Sequence, residues 1–401
     1  MAATEWKTAK LDELGFVGRG KSRHRPRNAA FLYGGRYPFF QTGDIKAANF
    51  HLTEYSQTYS EEGLAQSKLW KPGTLCITIA ANIAESAILG IEGCFPDSVV
   101  GFVADPDKAD VRFVKYYMEI LKLQMQSVSR GTTQDNLSLD KLLTFDFLVP
   151  PLPVQRRIAG ILSAYDELME NSQRRIRLLE AMARALYREW FVHFRFPGHE
   201  THPRVASPLG DIPQGWEVKP LFELTKVNYG KNLPTKKLAD DGAYPVYGAA
   251  KIIGRYTEYT REGRTIICGC RGSVGEMQIT EPQCFVTNNS FTFDPTHSDN
   301  FFWLFHTLKE RGLRDVVGGA AQPQITLEGI SSVELVTPPL PLRTRFQKTV
   351  AAMFGQAWAL QRQIQNLRRT RDLLLPRLLS GQVHLPAVEG SEAVAGIPER
   401  N

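Results

Sequence analysis

The stretch PPLPVQRRI, from Pro150 to Ile158, returns near the other end of the chain as PPLPLRTRF, from Pro338 to Phe346. The two copies are 188 residues apart, and the same separation relates many residues on both sides. These matched pairs are Gly131 and Gly319, Gln134 and Gln322, Leu139 and Leu327, Ile176 and Ile364, Leu179 and Leu367, and Leu186 and Leu374. Further upstream, Trp6 matches Trp216 and Gly20-Lys21 matches Gly230-Lys231 at a separation of 210. An internal repeat indicates one structural unit that occurs twice, with front ends of unequal length.

Apolar residues follow each proline pair with alternating spacings of four and three, over about five heptads, which is typical of a coiled-coil seam. The first seam is Ile158, Leu162, Tyr165, Met169, Ile176, Leu179, Leu186 and Trp190, and the second is Phe346, Val350, Met353, Leu360, Ile364, Leu367, Leu374 and Leu378. A helix of about 38 residues reaches roughly 57 Å. Because the two helices have equal length, we expect them to pair antiparallel in a pseudo-twofold arrangement. The alternative is two separate amphipathic helices, each packed on its own domain.

The two front ends are rich in glycine, proline and short runs of β-forming residues, each followed by an amphipathic helix. The runs are GTLCITIA, SAILGI and SVVGFVA in the first copy, and RTIICGC, EMQIT and SFTFD in the second. The helices are FVKYYMEILKLQMQSV and FFWLFHTLKERGLRDVV. We therefore predict an α/β fold with two domains, 1–149 and 216–337, that have twisted, mostly antiparallel sheets. Helical spacers at 150–194 and 338–382, a linker at 195–215 and a disordered tail at 383–401 complete the expected order.

The composition is that of a globular protein that carries a modest positive charge. Of the 401 residues, 43% are hydrophobic and 22% are charged, with a formal net charge of +6. These values exclude wholesale disorder and a fibrous protein. Five cysteines do not make a disulfide framework, and Cys268, Cys270 and Cys284 lack the second close pair of a zinc site. No apolar run approaches the length of a membrane span, so we expect a soluble, cytoplasmic protein without a metal.

The segment GFVGRGKS, from Gly15 to Ser22, fits the phosphate-loop pattern GxxxxGKS. That loop works only between a buried strand and a helix, whereas KLDEL before it resembles a helical turn and Pro26 follows it. The second copy has Thr225 and Asn232 in place of the first glycine and the serine. Both proline pairs, in VPPL and TPPL, also lack the Asp/Asn-Pro-Pro-aromatic tetrapeptide of DNA methyltransferases. The sequence therefore contains no recognisable catalytic centre, and a phosphate-loop ATPase remains the weakest alternative.

Positive charge is concentrated in two loops at matched positions of the repeat. Arg19, Lys21, Arg23, Arg25 and Arg27 alternate through the first loop, and Lys226, Lys231, Lys236 and Lys237 populate the second. One such run is usually only a solvated face, but its recurrence favours contact with DNA phosphates. Polar residues of neighbouring loops are candidates for reading bases. The candidate DNA-binding residues are Lys21, Arg23, Arg25, Arg27, Thr42, Lys46, Arg130, Thr132, Gln134, Lys231, Lys236, Lys237, Arg271, Ser273 and Gln322.

The segment PLPVQRRIAGILSAYDELMENSQRRIRLLEAMARALYREWF resembles the conserved helical region of type I restriction-modification specificity subunits. GDIPQGWEVKPLFEL resembles the opening of their second target-recognition domain. The resemblance covers nearly the whole chain, in the order domain, helix, domain, helix. It implies that each target-recognition domain reads one half of a split DNA site, while the paired helices act as a ruler and dock two methyltransferase subunits.

The resemblance also implies where the chemistry resides. The methyltransferase subunits bind S-adenosylmethionine and methylate adenine, and a motor-nuclease subunit that uses ATP and magnesium can join them, so this chain itself needs no cofactor. Arg371 and Arg368-Arg369 stand where the first helix has Ala183 and Glu180, so the two docking surfaces need not be equivalent. The unlike front ends predict an asymmetric target. The competing interpretation is a coiled-coil adaptor without DNA specificity.

Overall fold

The computed structural model describes residues 6–48, 50–130, 137–319, 322–383 and 385, except for the side chains of residues 129 and 130. The chain forms two compact units. Unit 1 combines residues 1–173 with residues 361–401, and unit 2 is the continuous stretch 174–360. The boundary cuts both long helices, so each unit contains one half of each helix.

The first stretch of unit 1 begins with a strand, a 3₁₀ turn and a series of short strands, and ends in the first long helix; the last part of the second long helix completes the unit. Its elements are β1 Lys7–Ala9, β2 Gly15–Arg19, β3 Tyr33–Phe39, α1 Thr42–Ala47, β4 His51–Leu52, β5 Gln57–Tyr59, α2 Glu61–Ala65, β6 Leu69–Trp70, β7 Leu75–Thr78, β8 Ser86–Leu89, β9 Gly93–Cys94, β10 Val99–Ala104, α3 Val111–Arg130, α4 Leu139–Leu142, β11 Phe147–Val149 and the first part of α5 Leu152–Tyr187.

Two sheets form the body of unit 1. The five-stranded sheet has the order β2-β10-β7-β8-β4 and the four-stranded sheet has the order β5-β3-β9-β6. Most pairs are antiparallel, while β4–β8 and β3–β9 are parallel. The apolar runs of the first front end form β7, β8 and β10, as the sequence predicts. Alternate residues of these strands, such as Ile77 and Phe102, pack against Phe113 of α3 in the main core.

Unit 2 contains the second half of α5, which continues as a π-helical turn, Arg188–Val192. Its further elements are β12 Arg204–Val205, β13 Ile212–Pro213, β14 Glu217–Pro220, α6 Leu221–Leu224, β15 Thr225–Tyr229, β16 Tyr244–Gly248, β17 Lys251–Tyr256, β18 Ile266–Gly269, β19 Met277–Ile279, β20 Phe285–Val286, β21 Ser290–Pro295, α7 Phe301–Arg311, β22 Val317–Gly318, β23 Gln324–Ile325, α8 Leu327–Ser331, β24 Glu334–Thr337 and the first part of α9 Leu340–Leu379.

The sheets of unit 2 repeat those of unit 1 with fewer strands. The orders are β15-β21-β18-β19 and β17-β16-β20. The predicted runs of the second front end form β18, β19 and β21. Two details differ from expectation. Helix α7 was expected to reach residue 317 but ends at Arg311, because Gly312 adopts a positive φ of 69°. The segment predicted as a linker contains the β12–β13 hairpin, and its Phe196 and Ile212 lie in the unit 2 core.

The two long helices begin at matched positions, α5 at Leu152 and α9 at Leu340, each directly after a proline pair. Proline is tolerated in a first helical turn because the N–H groups there have no partner within the helix. In unit 1 the first half of α5 packs with the last part of α9, and in unit 2 the second half of α5 packs with the first part of α9. This is the contact pattern of an antiparallel pair.

None of the sixteen seam residues named above is exposed. The ends of the seam also belong to the cores of the units. Ile158 and Leu162 pack with Leu378 in the unit 1 core, and Phe346 and Val350 lie in the unit 2 core. Within the described ranges, no helix combines the length and the apolar character needed to cross a bilayer.

Candidate nucleic-acid interface

The first basic loop leaves the unit 1 sheet at a close backbone crossing. The Gly20 amide donates to the Val99 carbonyl at 2.9 Å, and the Lys21 amide donates to the Phe95 carbonyl at 3.1 Å. A Cβ atom at position 20 would lie 2.3 Å from the Phe95 oxygen, so a side chain there cannot be accommodated without a shift of the backbone. Glycine is therefore required where the chain leaves β2 and crosses the segment that joins β9 to β10.

The second basic loop leaves unit 2 in the same way. The Gly230 amide donates to the Ser290 carbonyl at 3.0 Å, and the Lys231 amide donates to the Val286 carbonyl at 2.9 Å. A Cβ atom at position 230 would lie 2.3 Å from the Thr287 oxygen. The Gly-Lys pairs matched by the repeat thus occupy equivalent positions in the two units, and the loops that follow them start from the same point of the fold.

The cations of the first loop fall into two groups. Arg25 donates to the Ser22 carbonyl at 2.7 Å, and Arg27 donates to both carboxylate oxygens of Asp97 at 2.9 Å, so these two side chains hold the loop itself. The side chains of Lys21 and Arg23 are exposed and form no hydrogen bond or ion pair with another described residue. These two side chains are therefore the ones available to an anionic ligand.

The cations of the second loop are all available to solvent. Lys231 follows the crossing directly, and Lys236 and Lys237 lie in the 3₁₀ turn Thr235–Lys237. All three are exposed and, in the part of the chain that the structure describes, none forms an ion pair. The basic loop of unit 2 is therefore less internally bonded than that of unit 1.

The other predicted site residues lie on neighbouring loops and short helices. In unit 1, Thr42 begins α1, and Lys46 in its last turn donates to the Asn82 side chain at 3.1 Å. Asn82 has a positive φ of 48°, and its neighbours Ala81 and Ala84 share this left-handed conformation. Non-glycine residues adopt it at a cost of about 1–3 kcal/mol, and such strain often accompanies functional loops.

In unit 2, the Arg271 side chain donates to the Gln324 side chain at 3.3 Å, which brings the 271–275 loop to β23. Ser273 lies in that loop, and Gln322 is exposed two residues before Gln324. The structure thus brings Arg271 and Gln322 to one edge of unit 2. The counterpart of Gln322 in unit 1 is Gln134, which lies outside the described residues, as do Thr132 and the side chain of Arg130.

A buried polar cluster in unit 1 was not anticipated from the sequence. The Tyr116 hydroxyl donates to Asp166 at 2.5 Å, and the Arg371 guanidinium donates to the other oxygen of that carboxylate. Asp166 is 3% exposed. Burial, followed by the charge of Asp166, raises the pKa of Tyr116. Burial alone would lower the pKa of Arg371, but the charges and hydrogen bonds of Asp166 and Asp372 together outweigh it, so this pKa is raised.

This cluster revises the expectation for the second helix. Arg371 was expected to contribute to a docking surface unlike that of the first helix, yet its guanidinium is turned into unit 1 and joins α9 to α5. Arg368 and Arg369 remain exposed.

A cavity of about 440 Å³ opens beside the cluster, lined also by Ser86, Lys115 and Arg368. No sequence signal could have shown the cluster, because its members come from three distant parts of the chain.

Neither the phosphate-loop fold nor a metal-binding cluster is formed in the described ranges. Residues Gly15–Arg19 of the phosphate-loop match form strand β2, paired with β10, and no α-helix follows them directly. Among the described residues, no cluster of three or more His, Cys, Asp or Glu side chains could hold a metal ion. Cys268 and Cys270 are free and buried, and burial raises the pKa of the Cys268 thiol to about 12.

The family sequence model for the type I restriction modification DNA specificity domain matches residues 3–181 and again residues 213–367. The chain belongs to this family. Each match covers one front domain and a part of the helix that follows it, so the family boundaries reproduce the internal repeat. Membership in the specificity family gives the chain a role in DNA sequence specificity.

Individual relatives agree with this assignment along almost the full length. This chain is 22% identical over 417 residues to the type I restriction enzyme MjaIX specificity subunit of Methanocaldococcus jannaschii. The alignment covers 95% of this chain and 94% of the relative. The chain is 23% identical over 476 residues to the HindI specificity subunit of Haemophilus influenzae, covering 95% of this chain and all of the relative.

The fold is also shared with a solved structure. The crystal structure of the type I restriction-modification S subunit from M. genitalium has a TM-score of 0.61 and 18% identity, covering 94% of this chain and 97% of that chain. The specificity chain therefore has the S-subunit fold, with two sheet domains and two long helices.

Proposed function

We propose that the chain is the non-catalytic DNA-recognition subunit of a type I restriction-modification complex, in which each unit reads one half of a bipartite, asymmetric site. The observation that carries this proposal is the recurrence of the Gly-Lys crossing at Gly20 and Gly230, where the backbone is the same and the loops that follow differ. Because both basic loops start from the same backbone contacts, we expect the two units to lie on DNA in equivalent ways. Because the loops themselves differ in sequence, we expect the two units to read different half-sites.

The helices α5 and α9 have separate roles in this proposal. Their antiparallel pairing sets the distance between the two half-sites, since half-sites read from one face of B-DNA are spaced in helical turns of about 34 Å. Their exposed faces dock two methyltransferase subunits. These partners bind S-adenosylmethionine, and a motor-nuclease subunit with ATP and magnesium can complete the complex. The cytoplasm, where the host DNA of a prokaryote lies, is the compartment that this role requires.

The first experiment is to co-express the chain with a methyltransferase subunit encoded beside it and to map methylated adenines across the host DNA. We expect a split, asymmetric motif with a fixed spacer. A stable complex without methylation would contradict the recognition role and favour the adaptor interpretation. Nucleotide hydrolysis by the isolated chain that is lost in Lys21→Ala would instead favour the ATPase interpretation.

The spacing role has a test of its own. Inserting one heptad into each of α5 and α9 preserves the seam, and we expect the spacer to change while both half-site sequences stay the same. A matched control is a seven-residue insertion in the exposed turn between Pro208 and Leu209, which leaves both helices intact and should leave the spacer unchanged. The pair Leu179→Asp and Leu367→Asp should abolish the fixed spacer, because it places charge on the seam. An unaltered spacer in this variant would exclude the ruler role.

A further inference from the structure

The outer face of the strand that precedes the basic loop, β2 in unit 1 and β15 in unit 2, differs between the two units, although the strand pairing is identical. In unit 1, Phe16 of β2 lies opposite Val103 of β10, and Gly18 lies opposite Gly101. Val17, which points the other way, packs against the core. Phe16 is 56% exposed and Val103 is 42% exposed. Unit 1 thus presents an apolar surface with two glycines at its centre.

The same register in unit 2 carries polar side chains. Lys226 lies opposite Asp294, and Asn228 lies opposite Thr292. Arg261, the counterpart of Trp70, donates to the Asp294 carboxylate at 2.8 Å and also to the Thr292 hydroxyl. On this face of unit 2, Asp294 and Thr292 therefore have a partner in Arg261, whereas Lys226 is exposed.

Trp70 covers the two glycines of unit 1. A Cβ atom at Gly101 would lie 2.7 Å from the Trp70 ring, which leaves no room for a side chain beside the indole, and one at Gly18 would make a tight contact with it at 3.3 Å. Trp70 stacks on Phe95 with a centroid distance of 4.9 Å, and its centroid is 6.2 Å from that of Phe16. The result is an aromatic surface in which Trp70 is buried on Phe95 and the Phe16 ring is exposed to solvent.

The ammonium group of Lys68 is held above this surface. Its Nζ lies 3.6 Å from the Trp70 ring centroid and 4.8 Å from the Phe16 centroid. Aromatic faces attract a cation, which holds the side chain in one position. Lys68 forms no ion pair within the described ranges, and burial, followed by the charge of Lys21, lowers its pKa. Two neighbouring ammonium groups therefore lack a carboxylate to neutralise them.

Lys68 is also tied to the basic loop. The Ser67 hydroxyl donates to the Lys21 carbonyl at 2.8 Å, and the His24 amide donates to the Gln66 side chain at 3.0 Å. These bonds hold the 66–70 segment against the loop that begins at the Gly20 crossing. Lys68 and Lys21 consequently form one cationic site beside an exposed aromatic ring.

We propose that Lys68 and Lys21 together bind a backbone phosphate of the half-site read by unit 1, and that the exposed ring of Phe16 packs on the adjoining deoxyribose. The inference rests on the DNA-recognition role proposed above. A phosphate supplies the negative charge that this pair of cations lacks, and a cation already held by two rings loses little conformational freedom on binding. The matching face of unit 2 has Lys226 and Arg261 in place of Phe16 and Trp70, so it offers no equivalent aromatic surface for this contact.

The test is Lys68→Met in the complex co-expressed with its methyltransferase subunit. The substitution removes the charge and keeps the apolar stem over Trp70. We expect the slope of log affinity against log salt, measured on a duplex that carries the methylated motif, to become shallower by about 0.9. Raising the salt from 50 to 200 mM would then weaken wild-type binding roughly 3-fold more than it weakens the variant. The methylated motif should stay the same, because a phosphate contact carries no base sequence.

Three further variants make the outcome specific. Lys68→Arg keeps the charge and should keep the slope, whereas Lys71→Met removes an exposed lysine three residues away and should leave both slope and affinity unchanged. Lys21→Met should reduce the slope as Lys68→Met does, which provides a second test if Lys68→Met alters folding. Phe16→Ala should weaken binding without changing the slope.

The possible results separate the two proposals. If the wild-type complex methylates a split motif and Lys68→Met leaves the slope unchanged, the phosphate site is wrong and the recognition role stands. A changed first half-site in Lys68→Met would also overturn the phosphate assignment, because it would mean that Lys68 reads a base. If the wild-type complex methylates no split motif, both proposals fail.

Discussion

The two units bury the junction of their helices with different chemistry at equivalent positions. Unit 1 uses a tyrosine, an aspartate and an arginine that satisfy one another, whereas unit 2 uses a leucine, a phenylalanine and an alanine in its apolar core. The pairs, each separated by 188 residues, are Tyr116 and Leu304, Asp166 and Phe354, and Ala183 and Arg371. The same backbone arrangement therefore accommodates either a polar or an apolar set of side chains, provided that every buried polar group has a hydrogen-bond or ion-pair partner.

A second difference lies two residues further along the domain helices. Met118 of α3 is fully buried in unit 1, and its counterpart in α7 is His306, which is 5% exposed. The His306 ring stacks on Tyr187 with a centroid distance of 5.6 Å. Burial, assisted by the charges of Lys309 and Arg184, lowers the pKa of His306 to about 3. Here unit 2 carries the titratable group and unit 1 the apolar one.

The largest expected effect comes from removing one member of the unit 1 cluster. Arg371→Ala leaves Asp166 buried without its cation, and breaking a buried ion pair in this way costs about 3–5 kcal/mol. We expect a loss of this size in the free energy of unfolding, measured by chemical denaturation followed by tryptophan fluorescence.

The control for that change converts the whole cluster to its unit 2 counterpart. The triple variant Tyr116→Leu, Asp166→Phe and Arg371→Ala removes charge and partner together, and we expect it to lie within about 1–2 kcal/mol of wild type. If the triple variant were as unstable as Arg371→Ala alone, the two junctions would not be interchangeable and the comparison would fail.

The next effect tests the equivalence of the two crossings. Gly20→Ala and Gly230→Ala each place a methyl group against backbone oxygens, and we expect each to cost about 1–3 kcal/mol in thermal or chemical unfolding. Gly160→Ala in α5 is the matched control, because nothing lies within 4 Å of its added Cβ atom, and it should gain up to about 1 kcal/mol. A large loss at only one of the two crossings would show that the anchors differ.

The effect of His306 depends on pH: it is small just below pH 6.5 and grows as the pH falls. The folded pKa lies below the unfolded value of about 6.5, so the unfolded chain binds the proton first as the pH falls. The contribution to stability is complete above about pH 6.5 and declines by about 1.4 kcal/mol for each pH unit down to about pH 3. His306→Met, which installs the unit 1 residue, should remove this slope. Equal pH dependence in the variant and the wild type would contradict the assignment.

The smallest effect concerns the outer face of unit 2. Asp294→Val installs the residue that unit 1 has at this position and breaks the ion pair with Arg261. In that pair the Arg261 side chain is 26% exposed and the Asp294 side chain is 40% exposed. Partly exposed pairs of this kind contribute about 0–1 kcal/mol, so we expect only a slight change in the unfolding midpoint. A loss of several kcal/mol would mean that this pair supports the sheet and is not merely a polar cover.

Much of the fold could be predicted from local patterns. The helix starts at Leu152 and Leu340 follow from the prolines, and the strands β7, β10, β18 and β21 follow from short apolar runs between turn residues. The end of α7 was missed, although Gly312 marks it. The β12–β13 hairpin was also missed, because its glycines and prolines resemble those of an open linker.

The candidate site was predicted less completely than the fold. Repetition singled out the Gly-Lys pairs, and the structure gives both the same backbone contacts. Charge alone did not distinguish Arg25 and Arg27, which bond within their loop region, from the free cations Lys21 and Arg23. Lys68 carried no signal, because the rings that hold it come from two different strands.

By itself the sequence determined the repeat, the order of domains and helices, and the places where two basic loops begin. These properties depend on residues that are neighbours along the chain or that recur at one constant separation. Only the tertiary structure decided which cations are free, that Arg371 pairs with Asp166, and that Lys68 lies above Trp70 and Phe16. Such contacts arise when distant segments pack, and the free energy of each depends on burial and on partners that no local pattern specifies.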